Sequence, residues 1–260
     1  MTRKPGNMSQ SDFVVTVIFM QERICNMNYA MADLHNDFSK FDEMLGRIRF
    51  DRFKDHLYIV GDLFDRGNYD PDPFGVYYKV LSLEESITFI RGNHDTWLAR
   101  YIHEYYGITE KKREGLRKYG YNSFELLRER LVEQDMVTLA NRIMRCPVQV
   151  ETEIEGKKYL FAHAMSSHPE EKRDEDYYLM GGEIGFPYLS KGIDGYICIN
   201  GHTPTDMVRL WYGDDYQPKK LEIWRNPKGN VYMLDCGCGL YYDCRLGCLC
   251  IEMGEAFYVD

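Results

Sequence analysis

The chain has 260 residues, 44% of them apolar and 28% charged, and a formal net charge of −9. That is enough for one large domain with a substantial core. An acidic balance with no basic stripe argues against a nucleic-acid polymer as partner, and no apolar run reaches the roughly 20 residues of a membrane span. The negative charge also repels phosphates at long range, so any phosphate chemistry needs local positive charge from metal ions and arginine.

Residues 1–26 read as an N-terminal extension outside the core. The apolar run Phe13–Met20 is too short for a span. As an export signal it would be followed by Ala30-Met31-Ala32 as a small-x-small cleavage site, but cleavage there would remove the strand that leads into Asp33. Residues 27–260 read as one domain. Its first strand is Met27–Met31 and ends in Asp33-Leu34-His35. Asn36 or Asp37 then caps a helix carrying Phe38, Phe41, Met44, Leu45 and Ile48 at helical spacing. Leu57–Val60 is a continuous apolar strand, ended by Gly61-Asp62-Leu63-Phe64-Asp65-Arg66-Gly67. Phe74–Leu83 reads as a helix. Ile87–Ile90 reads as a second buried strand, ended by Gly92-Asn93-His94-Asp95. Strand, helix, strand with short connections indicates βαβ units and an α/β fold.

Residues 96–145 are rich in charged and long side chains and read as a cap of several helices beside the strand ends. Beyond them, Glu155-Gly156 turns a hairpin between Val148–Glu153 and Lys157–Ala162. His163 follows directly. Tyr196–Asn200 leads to Gly201-His202-Thr203. Short strands are expected at Met207–Trp211, Leu221–Trp224, Val231–Asp235, Leu246–Glu252 and Phe257–Val259. Eight cysteines without a convincing export signal suggest reduced thiols and a cytoplasmic protein. Cys236, Cys238, Cys244, Cys248 and Cys250 crowd the C-terminus. Their C-x-C spacing suits small buried residues on strands better than a zinc knuckle.

The residues at these strand ends are four carboxylates (Asp33, Asp62, Asp65, Asp95), the amide of Asn93, and the imidazoles of His35, His94, His163 and His202. Side chains at the ends of neighbouring strands converge on one edge of a sheet. Carboxylate, imidazole and amide oxygen suit Mn²⁺, Fe²⁺ or Zn²⁺ better than thiol-seeking metals. One carboxylate can bridge two such ions roughly 3.5–4 Å apart. Taken singly, each residue has a plainer reading, as a turn aspartate, a helix cap or a structural histidine.

With this pattern the chain resembles the calcineurin-like metallophosphoesterases, and within them the bacterial branch of the phosphoprotein phosphatases. That branch holds protein serine/threonine phosphatases and diadenosine tetraphosphatases. The match runs from about Asn28 to Glu252, and Gly61–Gly67 followed by Gly92–Asp95 is its specific part. The resemblance implies a β-sandwich of two mixed sheets flanked by helices, with a helical insertion and two divalent metal ions at its edge, most simply Mn²⁺, with Fe or Zn as alternatives. It also implies metal ligation by Asp33, His35, Asp62, Asn93, His163 and His202, with Asp62 bridging. His94 would protonate the leaving oxygen, Asp65 would orient His94, and Arg66 would hold phosphoryl oxygens.

The implied reaction is direct hydrolysis of a phosphomonoester by a metal-bridging hydroxide, with no phosphoenzyme. The first substrate expected is a phosphorylated protein, as for a serine/threonine phosphatase, or a small phosphoester. The alternatives are a dinucleoside polyphosphate hydrolase and, from another class, a non-catalytic metal-binding scaffold. His94, Asp65 and Arg66 argue against the scaffold, because a structural site needs none of them. The chain departs from the family pattern at three places. Asn36 stands where glycine is usual. His163-Ala164-Met165 replaces H-G-G or H-A-G. Tyr177–Gly181 stands where many relatives carry a second phosphate-binding arginine, and Arg173 lies at a different offset.

Overall fold

The computed structural model describes residues 26–67, 69–181 and 186–260. The reading of residues 1–26 therefore falls almost wholly outside the described residues. Strand β1 (Asn28–Met31) is followed by helix α1 (Phe38–Arg47), where the Asp37 carboxylate accepts the Lys40 N–H at 3.0 Å. Such a cap contributes about 1 kcal/mol. Phe41, Met44 and Leu45 form the buried face of α1, at the expected spacing. Strand β2 (His56–Val60) leads to helix α2 (Pro73–Ser82), which Asp72 caps and which has proline in its first turn. Strand β3 is Ile87–Ile90. Four helices come next: α3 (Asn93–Gly107), α4 (Glu110–Arg113), α5 (Ser123–Arg128) and α6 (Glu133–Arg145).

The remaining chain forms β4 (Gln149–Ile154), β5 (Lys157–Ala162), α7 (Glu175–Met180), α8 (Phe186–Lys191), β6 (Ile197–Asn200), α9 (Thr205–Tyr212), β7 (Trp224–Arg225), β8 (Val231–Met233), β9 (Leu246–Cys250) and β10 (Glu255–Val259). The expected strand at Met207–Trp211 is thus a helix. Val208 is fully buried there and Tyr212, four residues on, packs against the same cluster, while Leu210 and Trp211 are exposed. The helix starts just after Pro204 and stops at Gly213, whose φ is 77°. These are helix start and stop signals that a run of apolar residues masked. The strand expected at Leu221–Trp224 is confined to Trp224–Arg225.

The ten strands form two mixed sheets, ordered β10-β9-β1-β2-β3 and β4-β5-β6-β8-β7. Strands β1, β2 and β3 are mutually parallel, as are β5, β6 and β8. Alternation along each strand divides the core into three layers. Ala30, Tyr58 and Val60 of the first sheet meet Tyr159, Phe161 and Ile199 of the second. The Tyr58 and Phe161 rings stack at 4.1 Å between centroids, which contributes about 0.5–1.5 kcal/mol beyond their burial. Tyr29, Met31, Leu57 and Ile59 face the other way, toward α1, α2, α3, α5 and α6. Leu160, Cys198, Val231 and Met233 are covered by residues of α8 and α9. Strands buried on both faces explain the continuous apolar runs of β2 and β6. Cys248 and Cys250 belong to the first sheet's helix-facing layer. The seven described cysteines are all free thiols. Among the described residues, no helix is long and apolar enough to cross a membrane.

Candidate active site

Each parallel strand ends close to a polar side chain. Asp33 follows β1, Asp62 follows β2, Asn93 follows β3, His163 follows β5 and His202 follows β6. Because the two sheets lie face to face, these ends meet at one edge of the sandwich. Ligand atoms of Asp33, His35 and Asp62 lie within 4.8 Å of one another, and so do those of Asp62, His163 and His202. The carboxylate of Asp62 belongs to both groups. Asn93 Oδ1 completes the second, at 3.0 Å from both His163 Nε2 and His202 Nδ1. All six predicted ligands are therefore brought together. Among the described residues, no third group of three histidine, cysteine or carboxylate donors converges in this way, so the C-terminal cysteines form no such cluster.

The donors are turned inward by hydrogen bonds behind them. His163 Nδ1 donates to the Val60 carbonyl at 3.0 Å, and His35 Nδ1 to the Phe64 carbonyl at 3.1 Å. Each Nε2 thus faces the carboxylates. This backing of a ligating imidazole by a carbonyl is common in metal sites. Burial, with Arg66 and His94 nearby, lowers the His35 imidazole to about 3. Burial and His163 lower His202 to about 4. Both are neutral, as ligands must be. His163 behaves oppositely. Burial works against its charge, but the Asp62 carboxylate at 3.3 Å outweighs it and raises His163 to about 10. Burial, Asp235 and Asp62 push Asp33 well above the usual carboxylate range. So much buried negative charge in one place calls for cations. Carboxylates, two neutral imidazoles and an amide oxygen in two groups fit a pair of divalent ions.

Backbone strain is concentrated here. Asp33, His35, Asn36, Asp62, Asp65, Arg66 and His202 all have positive φ, and Arg49 and Glu155 are the other described non-glycine residues that do. Side chains held in this conformation cluster at functional sites. Asn36 has a φ of 63°, a conformation that glycine adopts freely and that asparagine is among the few side chains to tolerate, so the expected departure from the family's glycine fits this backbone. Its side chain is hydrogen-bonded to Ser123, whose Oγ also accepts the Asp65 N–H at 2.6 Å. Two glycines leave room for the carboxylates. A Cβ on Gly92 would lie 2.1 Å from Asp62 Oδ1, and one on Gly201 would lie 2.2 Å from Asp33 Oδ2.

Beside the donors, His94 Nδ1 lies 3.0 Å from Asp65 Oδ2. Its Nε2 is buried and has no partner among the described residues. Arg66 Nη1 donates to His35 Nε2 at 2.9 Å, so the guanidinium adjoins the first donor group. Arg173 pairs with Glu171 and lies over Tyr177, where it does not take the place of a second phosphate-binding arginine.

Sequence reasoning missed two participants, Asp235 and Tyr119, and gave Asp95 no role. Asp235 is buried and follows β8 by two residues, the same offset as Asp33 after β1 and Asp62 after β2. Burial pushes its carboxyl up to about 6, with Asp62 adding to the rise. That repeated offset was a usable signal. Tyr119 donates its hydroxyl to Asp65 Oδ2 at 2.5 Å. Asp95 accepts the N–H groups of Asp62, Leu63 and Gly92 and so ties two site loops together. Nothing in the spacing singles out Tyr119.

A family model described as calcineurin-like phosphoesterase matches residues 29–236. The chain belongs to this family. Among curated proteins, the symmetrical bis(5'-nucleosyl)-tetraphosphatase of Nitrosospira multiformis is 43% identical over 70 residues, covering 27% of this chain and 24% of its own length. The enzyme of the same name from Buchnera aphidicola is 32% identical over 136 residues, covering 52% and 43%. The chain thus matches less than half the length of these relatives. A solved structure of a candidate diadenosine tetraphosphatase superposes with a TM-score of 0.62 at 19% identity, over 91% of this chain and 94% of that one. A protein serine/threonine phosphatase from Saccharomyces cerevisiae superposes with a TM-score of 0.52 at 12% identity, over 92% and 80%. At these identities both speak to the fold alone, which is the phosphoesterase sandwich of two mixed sheets.

Proposed function

We propose that the protein is a two-metal hydrolase of dinucleoside polyphosphates, cleaving a phosphoanhydride so that diadenosine tetraphosphate and water give two molecules of ADP. The observation that carries the two-metal chemistry is Asp62, shared by two donor groups, with His94 beside it and the His94 Nε2 free of any partner among the described residues. The sequence reading placed a serine/threonine phosphoprotein first. The names of the curated relatives favour the nucleotide instead and lend no support to a protein substrate.

Asp33, His35 and Asp62 would hold one ion, and Asp62, Asn93, His163 and His202 the other. Mn²⁺ suits this donor set, as do Fe²⁺ and Zn²⁺. When bound, the ions supply Lewis acidity at phosphorus and an acidified attacking water. Arg66 binds phosphoryl oxygens, which a planar guanidinium can do in bidentate fashion. His94 gives its Nε2 proton to the departing phosphate oxygen. Asp65 accepts from His94 Nδ1 and from the Tyr119 hydroxyl, and so fixes the ring's orientation. No side chain serves as nucleophile.

The test is turnover by the full chain loaded with Mn²⁺, assayed against diadenosine tetraphosphate, mononucleotides and a phosphoserine peptide, with products separated by chromatography. ADP as the main product supports the reading. Turnover of the phosphopeptide alone would return the protein to the phosphatase side, and no turnover of any substrate would favour a binding role.

A further inference from the structure

We infer that Trp97 and Tyr121 form a nucleobase platform on the leaving-group side of the site. This inference rests on the nucleotide reading above and names the part of the substrate recognised there. Helix α3 begins at Asn93, so Trp97 lies one turn beyond His94 on the same face. The two rings are 4.9 Å apart between centroids. Tyr121 comes from the segment before α5 and meets the His94 ring edge to face at 4.4 Å. Trp97 and Tyr121 are parallel to within 7° with centroids 6.0 Å apart. That separation exceeds direct face-to-face contact, so the pair is offset and forms a broad aromatic ledge.

Two observations set this pair apart from ordinary packing. Tyr101, Tyr105 and Tyr119 are packed against the helix-side core, whereas Trp97 and Tyr121 are not part of that cluster. Tyr121 is 40% exposed and Trp97 is half-buried. A partly exposed aromatic pair outside that core cluster, seated on the proposed proton donor, lies where the departing half of the substrate must lie. A leaving nucleoside diphosphate carries its base on a flexible phosphate–ribose arm. Stacking is tolerant of base identity, because every base presents a π face. The expected ligand is therefore a purine or pyrimidine nucleotide of either type. Hydrogen bonding from an exposed tyrosine or indole edge would add only modest selectivity.

The test compares ligands with and without a base on the Mn²⁺-loaded full chain. ADP and pyrophosphate are measured as competitive inhibitors of whichever substrate turns over, and diadenosine tetraphosphate is compared with inorganic tripolyphosphate as substrate. In the wild type ADP should inhibit more tightly than pyrophosphate. Trp97→Ala and Tyr121→Ala should each raise Ki for ADP and KM for diadenosine tetraphosphate about 5- to 150-fold, the range for loss of one stacking contact. Ki for pyrophosphate should stay within about twofold, and KM for tripolyphosphate should rise far less than KM for diadenosine tetraphosphate. Trp97→Phe should restore most of the ADP advantage and guards against misfolding of the alanine variant. Equal wild-type Ki values for ADP and pyrophosphate would overturn the platform. So would a rise in KM for tripolyphosphate as large as that for the nucleotide, which would mean the rings only support the phosphate site. If diadenosine tetraphosphate is not hydrolysed but the ADP advantage exists and disappears in Trp97→Ala, the proposed function fails and the platform stands.

Discussion

His94 Nδ1 is hydrogen-bonded to Asp65 Oδ2 at 3.0 Å, while its Nε2 is buried without a partner among the described residues. A buried polar atom left unpaired costs stability, and such an atom at a site edge is a group held ready for substrate. His94→Asn should lower kcat on diadenosine tetraphosphate by about 10²–10⁴-fold, the range for loss of a positioned acid. Circular dichroism should show an unchanged fold. A variant with kcat within about threefold of wild type would remove His94 from the proposed chemistry.

Gly92 precedes Asn93 and His94 because any side chain there would enter the Asp62 carboxylate. Gly92→Ala forces its Cβ within 2.1 Å of Asp62 Oδ1 and 2.7 Å of the Asp62 nitrogen, and neither backbone nor buried carboxylate can yield easily. The shared ligand must move. The purified variant should hold fewer than two ions per chain by elemental analysis and lose at least about 10²-fold in kcat, as misplacement by 1 Å can. Wild-type metal content together with wild-type activity would show that Asp62 does not bridge.

The candidate ligands were legible because each stands beside a strand end and three of the six, Asp62, Asn93 and His202, directly follow glycine, features that local spacing carries. The pairing of strands that lets Asp33 meet His202 is not local. The His202 N–H donates to the Asp33 carboxylate from 169 residues away, at 2.9 Å to Oδ2, and the resemblance supplied the sandwich that joins them. Asp235 was overlooked because it lies within a cysteine- and glycine-rich stretch that draws attention to its thiols. Tyr119 and Ser123 were not legible at all. They come from a segment whose tyrosines look alike in sequence, and only packing decides which hydroxyl reaches Asp65. Met207–Trp211 misled because four of its five residues are apolar, while the helix is set by Pro204 and Gly213 at its ends.

Asp235 lies buried near Asp33, raises its proton affinity, and is absent from both donor groups. Its carboxylate would act on an ion held by Asp33, His35 and Asp62 through the electrostatics of Asp33. Asp235→Asn removes one negative charge while keeping size, and the Oδ1 that accepts the Gly237 N–H at 2.7 Å can be retained by an amide. Mn²⁺ affinity should fall about 10- to 100-fold, as for other groups that support ligands from behind. Isothermal titration calorimetry measures it. Unchanged affinity would assign Asp235 to the turn that leads into Gly237.

Metal binding should release protons, with a sign set by His163. Its imidazole is raised to about 10 in the metal-free protein by Asp62, so it carries a proton at neutral pH, whereas His35 and His202, lowered to about 3 and about 4, carry none. A ligating imidazole must be neutral and a ligating carboxyl deprotonated, so binding should expel about one proton from His163 and any that Asp33 holds, and affinity should rise at least about tenfold per pH unit while the pH stays below the folded value of His163. The same shift bears on folding. The raised pKa stabilises the metal-free fold fully below the unfolded value of about 6.5, and this contribution is lost as pH rises through about 10. The gap in Tm between Mn²⁺-loaded and metal-free protein should therefore widen from pH 6.5 toward pH 9. Calorimetry in buffers of different ionisation enthalpy counts the protons, and thermal melts follow the gap. Binding without proton release, and with a Tm gap that narrows as the pH is raised, would contradict the charge state assigned to His163.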